Sequence, residues 1–208
     1  MKTVTYVDIG LHRNADEIDM MLNVCKQLQC KLVVHGIEAH PGYISKLREK
    51  YAKFPNVHIH CYAIADKPGA AKLYLSPGSD YHGNSIFRDK NNVTDNYVET
   101  IQTTLSELID NGTIKPTEIN VLRCNMEGAE YLMYKDLIRN QLHHLFQLHC
   151  GAPSDMHKVA GLKHLQSTYL ATLEAHGIST FPFYYSTIEE KMLVMNHCMK
   201  HNLKDLLQ

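Results

Sequence analysis

Apolar residues follow two alternating patterns along the chain. Short runs rich in apolar residues, such as residues 3–9 and 118–125, have the length and composition of buried strands. Between such runs, as in residues 16–29, apolar side chains recur every three or four positions and would share one face of a helix. Strands that alternate with amphipathic helices predict a doubly wound α/β fold, with a mostly parallel sheet and helices on both faces.

These patterns predict individual elements. Strands are expected at residues 3–9, 31–39, 56–65, 71–75, 98–102, 118–125, 145–150 and 179–185. Helices are expected at residues 16–29, from Pro41 onward, and at residues 103–110, 127–140 and 157–176. The tail allows two interpretations. Ser186-x-x-Glu189 could be a capping box that begins a helix, or residues 192–195 could form a last antiparallel strand with a helix after it.

Residues 76–97 have no clear period. They contain Pro77, Gly78 and Gly83 together with several asparagine and aspartate residues. A polar segment of this length inside a compact domain is either a lid or substrate loop, or a disordered surface excursion. The sequence leaves both interpretations open.

Length and composition fit a single domain over residues 1–208. The chain is 44% hydrophobic and 21% charged with a net charge of −1, which argues against nucleic-acid binding through a basic face. No stretch is long and apolar enough for a membrane span, and the start MKTVTYVDIG lacks the apolar run of a signal peptide. Six dispersed cysteines without a Cys-x-x-Cys pair are typical of free thiols, so we expect a cytoplasmic protein.

The 14 histidines raise the question of a metal site. His197 and His201 are four residues apart, a spacing that suits a metal if the segment is helical. Spacing identifies no third ligand, and isolated histidines are more often exposed or core residues. We therefore expect no metal.

Side chains that could bind a ligand or take part in a reaction lie directly after the predicted strands. In open parallel sheets, ligands bind beyond the carboxyl ends of the strands, near the switch point. The residues at such positions are Asp8, Gly10, Glu38, Asp66, Asn125, Glu127, Glu130 and His149. A carboxylate at the end of the second strand, where Glu38 lies, can accept hydrogen bonds from two ribose hydroxyls.

The first loop argues against a pyrophosphate ligand. It reads Gly10-Leu-His-Arg-Asn14 and lacks the Gly-x-Gly-x-x-Gly pattern that fits a pyrophosphate against a helix start. Walker-type phosphate motifs are absent from the sequence as well. A nucleoside without phosphates fits this loop better than NAD or ATP, and S-adenosylmethionine (SAM) is such a ligand.

One stretch of the chain is specific enough to indicate a family. Leu122-Arg-Cys-Asn-Met-Glu-Gly-Ala-Glu130 resembles the Leu-Lys-Ile-Asp-Val-Glu-Gly-Ala-Glu hallmark of FkbM-type methyltransferases. Further segments resemble other motifs of that family in the same order: Val7-Asp-Ile-Gly10, Gly36-Ile-Glu-Ala-His-Pro41, Tyr62-Ala-Ile-Ala-Asp66 and Thr103-Thr-Leu-Ser-Glu-Leu108.

The resemblance implies a class I methyltransferase fold, Rossmann-like, with a mostly parallel seven-stranded sheet. It also implies SAM as methyl donor, S-adenosylhomocysteine as product, and a hydroxyl oxygen of a sugar or small metabolite as acceptor. The cofactor-binding residues that it implies are Asp8 and Gly10 beside the methionine part, Glu38 at the ribose hydroxyls and Asp66 near the adenine amino group, together with Asn14, Ala39 and Asn125. Asp66 could equally be a turn residue. The oligomeric state stays open, a homodimer included.

Three residues are candidates for the base that removes a proton from the acceptor hydroxyl: Glu127, His149 and His82. Glu127 and Glu130 also lie at a helix start, where dipole compensation alone could explain them. Asn14 and Asn125 stand where the family usually has glycine and aspartate. They leave open an alternative, a catalytically degenerate SAM-binding module with a regulatory or scaffolding role.

Overall fold

Nine strands and six α-helices make up the described part of the protein. The computed structural model describes residues 1–78, 83–151, 153–181 and 187–208. The strands are β1 (Thr3–Ile9), β2 (Lys31–Glu38), β3 (Val57–Cys61), β4 (Ala63–Ile64), β5 (Gly69–Tyr74), β6 (Tyr97–Thr103), β7 (Ile119–Cys124), β8 (Leu148–Gly151) and β9 (Thr180–Phe181). The helices are α1 (Asp16–Gln27), α2 (Pro41–Lys50), α3 (Leu105–Asp110), α4 (Glu130–Arg139), α5 (Gln166–Ala175) and α6 (Ile188–Leu207).

The strands form two sheets. The central sheet has the order β3-β2-β1-β7-β8-β9, and every neighbouring pair in it is parallel. The side sheet has the order β4-β6-β5, with β5 antiparallel to β6. The α/β prediction is thus confirmed, but the prediction of seven strands in one sheet is wrong. The predicted strand at residues 56–65 divides at Tyr62, and Ala63–Ile64 leaves β3 to pair with β6 in the side sheet.

Two hydrophobic cores cover the two faces of the central sheet. On one face α1, α2 and α6 contribute buried residues, among them Met21, Leu47 and Met199. On the other face α3, α4 and α5 do the same. Helices on both faces follow from strands that are buried on both sides, because each face must be covered to remove it from water.

The carboxyl-terminal third departs most from the sequence prediction. Only Gln166–Ala175 of the predicted helix at residues 157–176 is α-helical, and 3₁₀ turns at Pro153–Lys158 and Lys163–Leu165 precede it. The tail is the long helix α6, so the strand interpretation of residues 192–195 is wrong. Thr187 caps this helix, since its Oγ1 accepts a hydrogen bond of 3.1 Å from the Glu190 amide. The predicted strand at residues 179–185 lies partly outside the described residues.

In the parts of the chain that the structure describes, no helix combines the length and the apolar character that crossing a membrane requires. The same parts contain no group of three histidine, cysteine, aspartate or glutamate side chains placed to hold a metal ion.

Three histidines stack on one face of β2 and β3. The ring of His35 lies 5.2 Å from that of His58 and 5.4 Å from that of His60, and its Nδ1 shares a hydrogen bond of 3.2 Å with His60 Nε2. Burial, together with the neighbouring rings, lowers the pKa of His35 to about 4. Burial also lowers the pKa of His60 to about 4, with help from His58 and Arg48.

Replacing His35 and His60 together by glutamine should flatten the dependence of stability on pH. Both pKa values lie below the value of about 6.5 of an unfolded chain, so the unfolded state takes up protons first as the pH falls. The stability that the neutral rings contribute is present above pH 6.5 and is lost between about pH 6.5 and 4. With allowance for solvent screening at the partly exposed His60, we expect the wild type to lose about 2 kcal/mol more than the double variant between pH 7 and 5.

Urea denaturation at the two pH values measures this difference. His201→Gln is the control, because that side chain is 71% exposed. An equal loss of stability in the wild type and the double variant would contradict the prediction.

Candidate functional site

An open cavity of about 140 Å³ lies at the carboxyl ends of β1, β2 and β7. This is the switch point of the central sheet, because the chain continues from β1 to β2 on one side and places β7 on the other. Its polar lining comes from His12, Glu38, Asn84, Ser85, Asn125 and Glu127. Its apolar and aromatic lining comes from Ile9, Ile37, Ala39, Tyr43, Tyr62, Ala63, Ile64, Leu73, Ile86, Met126 and Ala129, next to Gly10 and Gly83.

Glu38 ends β2 at the cavity wall and is held by backbone amides. The His12 amide donates to its Oε2 at 2.8 Å, and the His40 amide donates to its Oε1 at 2.7 Å. Burial raises the pKa of this carboxyl, while the His40, His12 and Ala39 amides and the charge of Arg123 act to lower it. Backbone amides thus fix the carboxylate in place, and its remaining lone pairs can still accept bonds from a pair of hydroxyls.

Gly10 and Asn125 bring the ends of β1 and β7 together at the cavity floor. Gly10 has φ 84°, and a Cβ atom there would lie 2.1 Å from the Asn125 carbonyl oxygen. The Gly10 amide donates to the Ile37 carbonyl and the Asn125 amide to the Ile9 carbonyl, both at 2.9 Å. Only glycine fits this position, since a side chain would be both strained and in collision with the backbone.

Asp8 lies beneath the cavity rather than in its lining. Its Oδ1 accepts a hydrogen bond of 2.9 Å from Arg123 Nη1, which also donates to the Gly10 carbonyl at 2.9 Å. The other terminal nitrogen of Arg123 donates to Glu17 Oε1 at 2.7 Å. Sequence reasoning missed Glu17. The signal that could have found it is Arg123 itself, because a cation inside an apolar strand needs buried anionic partners.

Glu127 lines the cavity, and both its backbone carbonyl and its side-chain carboxylate have partners in the structure. Its carbonyl accepts a hydrogen bond of 3.1 Å from Ser85 Oγ, and its backbone has φ 55°, in the left-handed region. Its Oε2 lies 3.1 Å from the fully buried Nζ of Lys90 and 3.6 Å from Nζ of Lys158. Lys90 also donates to the Gly83 carbonyl at 2.9 Å and to the Asn92 side chain.

The described part of the predicted substrate loop is thus attached to the cavity wall. Ser85 pairs with Tyr74 through two backbone hydrogen bonds, and the Thr94 amide donates to the Leu75 carbonyl at 2.8 Å. Lys90 forms an isolated bridge with Val159, beyond the 3₁₀ segment Pro153–Lys158. These contacts place Gly83, Asn84, Ser85 and Ile86 at the mouth of the cavity.

Glu130 turns away from the cavity. Its carboxylate accepts hydrogen bonds from the Met126 and Gly128 amides of its own loop. Burial, followed by the nearby Asp155, raises its pKa to about 7. This residue therefore holds the turn between β7 and α4, as the dipole interpretation predicts.

The remaining predicted site residues are not brought together by the fold. His149 is buried against Tyr134, whose hydroxyl lies 3.3 Å from its Nδ1, and burial lowers its pKa to about 4. Asp66 lies 3.8 Å from Lys135, and the Asn14 carbonyl accepts a hydrogen bond from Lys50. None of these three lines the described cavity. His82 lies outside the described residues.

An open cavity at the switch point of a parallel sheet, with a fixed carboxylate at the end of the second strand, is the arrangement typical of Rossmann-like α/β proteins. The sequence matches the family model of the methyltransferase FkbM domain over residues 8–142, more than half of the chain. The chain therefore belongs to the FkbM methyltransferase domain family.

One solved structure is similar, methyltransferase FkbM from Methylobacillus flagellatus KT, with 13% sequence identity and a TM-score of 0.48. The alignment covers 80% of this chain and 36% of that one, so the present chain spans little more than a third of that protein's length. No curated protein matches the sequence.

Gly10→Ala should destabilise the protein by more than about 3 kcal/mol, because it adds a collision with the Asn125 carbonyl to the cost of the left-handed conformation. Gly177→Ala is the matched control, since Gly177 has φ 67° and a Cβ atom there would meet nothing within 4 Å. The control should cost only about 1–2 kcal/mol. Urea denaturation measures both values, and equal costs would contradict the geometry of the cavity floor.

Proposed function

We propose that this protein transfers the methyl group of SAM to a hydroxyl oxygen of a sugar or small metabolite. Membership of the methyltransferase family supports the reaction class. The observation that carries the choice of SAM is the Glu38 carboxylate, which two backbone amides fix at the cavity wall beside Gly10. A ribose with two free hydroxyls is the ligand group that such a carboxylate recognises best.

The rest of the lining fits a nucleoside without phosphates. Ile37, Ile64 and Leu73 supply apolar surface against which a purine ring can pack. The described residues that line the cavity include no lysine or arginine, and the ammonium groups of Lys90 and Lys158 are paired with Glu127, which disfavours a phosphate there. Gly10 lies in the cavity lining at the end of β1, where its lack of a side chain lets the Asn125 backbone pack against it.

SAM, when bound, supplies a positively charged sulfonium whose methyl group is the transferred group. The protein's part is to position the acceptor and to take its proton. Of the three predicted bases, Glu127 lies in the cavity lining, and we assign it this role. Lys90 and Lys158 hold its carboxylate in one orientation, from which it accepts a hydrogen bond from the acceptor hydroxyl.

Asn84 and Ser85 stand at the mouth of the cavity on the same side as Glu127 and offer polar, uncharged groups to the acceptor. Such groups suit a neutral molecule with several hydroxyls, such as a sugar. We also propose a reducing, cytoplasmic setting, because all six cysteines are free thiols.

Calorimetry with SAM and S-adenosylhomocysteine tests the cofactor. We expect both to bind, and Glu38→Ala to weaken SAM binding at least about tenfold through the loss of charged hydrogen bonds to the ribose. Glu49→Gln, on the exposed surface of α2, is the control and should leave affinity unchanged. Absence of SAM binding in the folded wild type would overturn the proposal.

Turnover is tested with isotope-labelled SAM and a panel of sugars and small hydroxyl compounds, read by mass spectrometry. Glu127→Gln should lower kcat by roughly 100-fold, because it removes the proton acceptor, while the Kd for SAM stays within about threefold. Glu99→Gln, exposed on β6, is the matched control. SAM binding without transfer to any acceptor would contradict the catalytic part and favour a binding module.

A further inference from the structure

A row of four charged side chains runs from the carboxyl-terminal helix to the cavity floor. Lys191 Nζ on α6 lies 2.6 Å from Glu17 Oε1 on α1, which lies 2.7 Å from Arg123 Nη2 on β7. Arg123 Nη1 contacts Asp8 Oδ1 and the Gly10 carbonyl, both at 2.9 Å. Lys191 is therefore linked to the backbone of the cavity floor through two ion pairs.

The row is buried, and its charges balance only with Lys191 present. The side chains of Asp8, Arg123 and Glu17 are 0%, 2% and 7% exposed, and that of Lys191 is 22% exposed. Two carboxylates face two cations. Without Lys191, two buried carboxylates would share one guanidinium, and an uncompensated charge in such a place is strongly unfavourable.

Further titratable groups among the described residues surround the row. Glu38 at the end of β2 also feels the charge of Arg123, and its carboxylate is held by the His12 and His40 amides. The Tyr6 hydroxyl on β1 and the Cys150 thiol on β8 are the neighbours from the remaining strands, and Tyr51 faces the same region from beyond α2. Burial raises the pKa of all three, so they are neutral near pH 7.

Asp8 is the carboxyl of the row that takes up a proton most readily. Burial raises its pKa to about 6, although the charges of Arg123 and Lys191 act to lower it. The pKa of Glu17 lies below its usual range, because Arg123 and Lys191 together outweigh the effect of its burial. Once Asp8 is neutral, Arg123 loses its charged partner on β1. The guanidinium is then held less firmly in the position from which it donates to the Gly10 carbonyl.

We propose that Lys191 is a positioning residue for SAM: it fixes Arg123, and through Arg123 the Gly10 carbonyl, in the arrangement that forms the cavity floor. This inference rests on the proposed function. It assigns a role to α6, which lies outside the residues 8–142 that match the family model. The carboxyl-terminal helix thereby controls cofactor affinity from beneath the site, without contact with the ligand.

The test is the Kd of S-adenosylhomocysteine, measured by calorimetry from pH 6.5 to 8.5. Lys191→Met should bind roughly tenfold more weakly than the wild type at pH 7 and should approach wild-type affinity near pH 8.5, where Asp8 is again ionised. Lys191→Arg keeps the charge and should restore the wild-type profile. Lys200→Met is the matched control, because Lys200 lies on the same helix and contacts Gln27 of α1 at the surface.

A second variant tests charge balance itself. Glu17→Gln combined with Lys191→Met removes one charge of each sign, so its pH profile should return toward that of the wild type. If Lys191→Met alone does not fold, recovery of folding and binding in the double variant supports the inference, and a folded double variant without binding overturns it.

Two results would overturn the inference while the proposed function stands. One is a Lys191→Met variant that binds as tightly as the wild type at every pH. The other is a loss of affinity that is the same at every pH, as a merely loosened helix would give. A folded wild type that binds neither SAM nor S-adenosylhomocysteine at any pH would overturn the proposed function, and this inference with it.

Discussion

The guanidinium of Arg123 lies in the middle of the central sheet, beneath the cavity. Because water cannot reach it there, its charge and its N–H donors need partners within the protein. Its donors reach Asp8 on β1, Glu17 on α1 and the Gly10 carbonyl. A buried charge of this kind is tolerated only with nearby partners, so the positions of these three groups follow from its presence. The floor of the site is therefore held by the ion pairs and hydrogen bonds of Arg123. The geometry of the first loop depends on them, because Arg123 binds the Gly10 carbonyl.

The carboxylates of the site differ in role because they differ in neighbours. Glu38 has amide donors and a free side toward the cavity, which suits a ligand contact. Glu130 has amide donors as well, but they belong to its own turn, and its carboxylate is buried. Glu127 has ammonium partners and lines the cavity. Three glutamates near the same edge of the sheet thus have different surroundings: Glu38 is fixed by amides at the cavity wall, Glu130 caps its own turn, and Glu127 is held by lysines in the cavity lining.

The walls of the site come from segments that are distant along the chain. The loop residues Gly83–Ile86 reach the cavity because β5 and β6 pair as a hairpin and hold the ends of the loop together. The side sheet also supports the cavity wall next to Glu38, since Thr100 Oγ1 donates to the Ala39 carbonyl at 2.8 Å. Lys90 then fixes the inner side of the loop to Glu127. Cavity shape is consequently a property of both sheets together.

The sequence by itself determined the α/β class, the positions of β1 and Glu38, and the family, because periodicity and motif order are local signals. Only the tertiary structure decided that residues 56–65 divide between two sheets, that Asp8 pairs with Arg123 instead of lining the cavity, and that His149 is enclosed. These outcomes depend on partners that are distant along the chain, such as Arg123 for Asp8 and β6 for β4. Which sheet a strand joins and which charges pair depend on contacts between distant residues, and local sequence patterns do not contain this information.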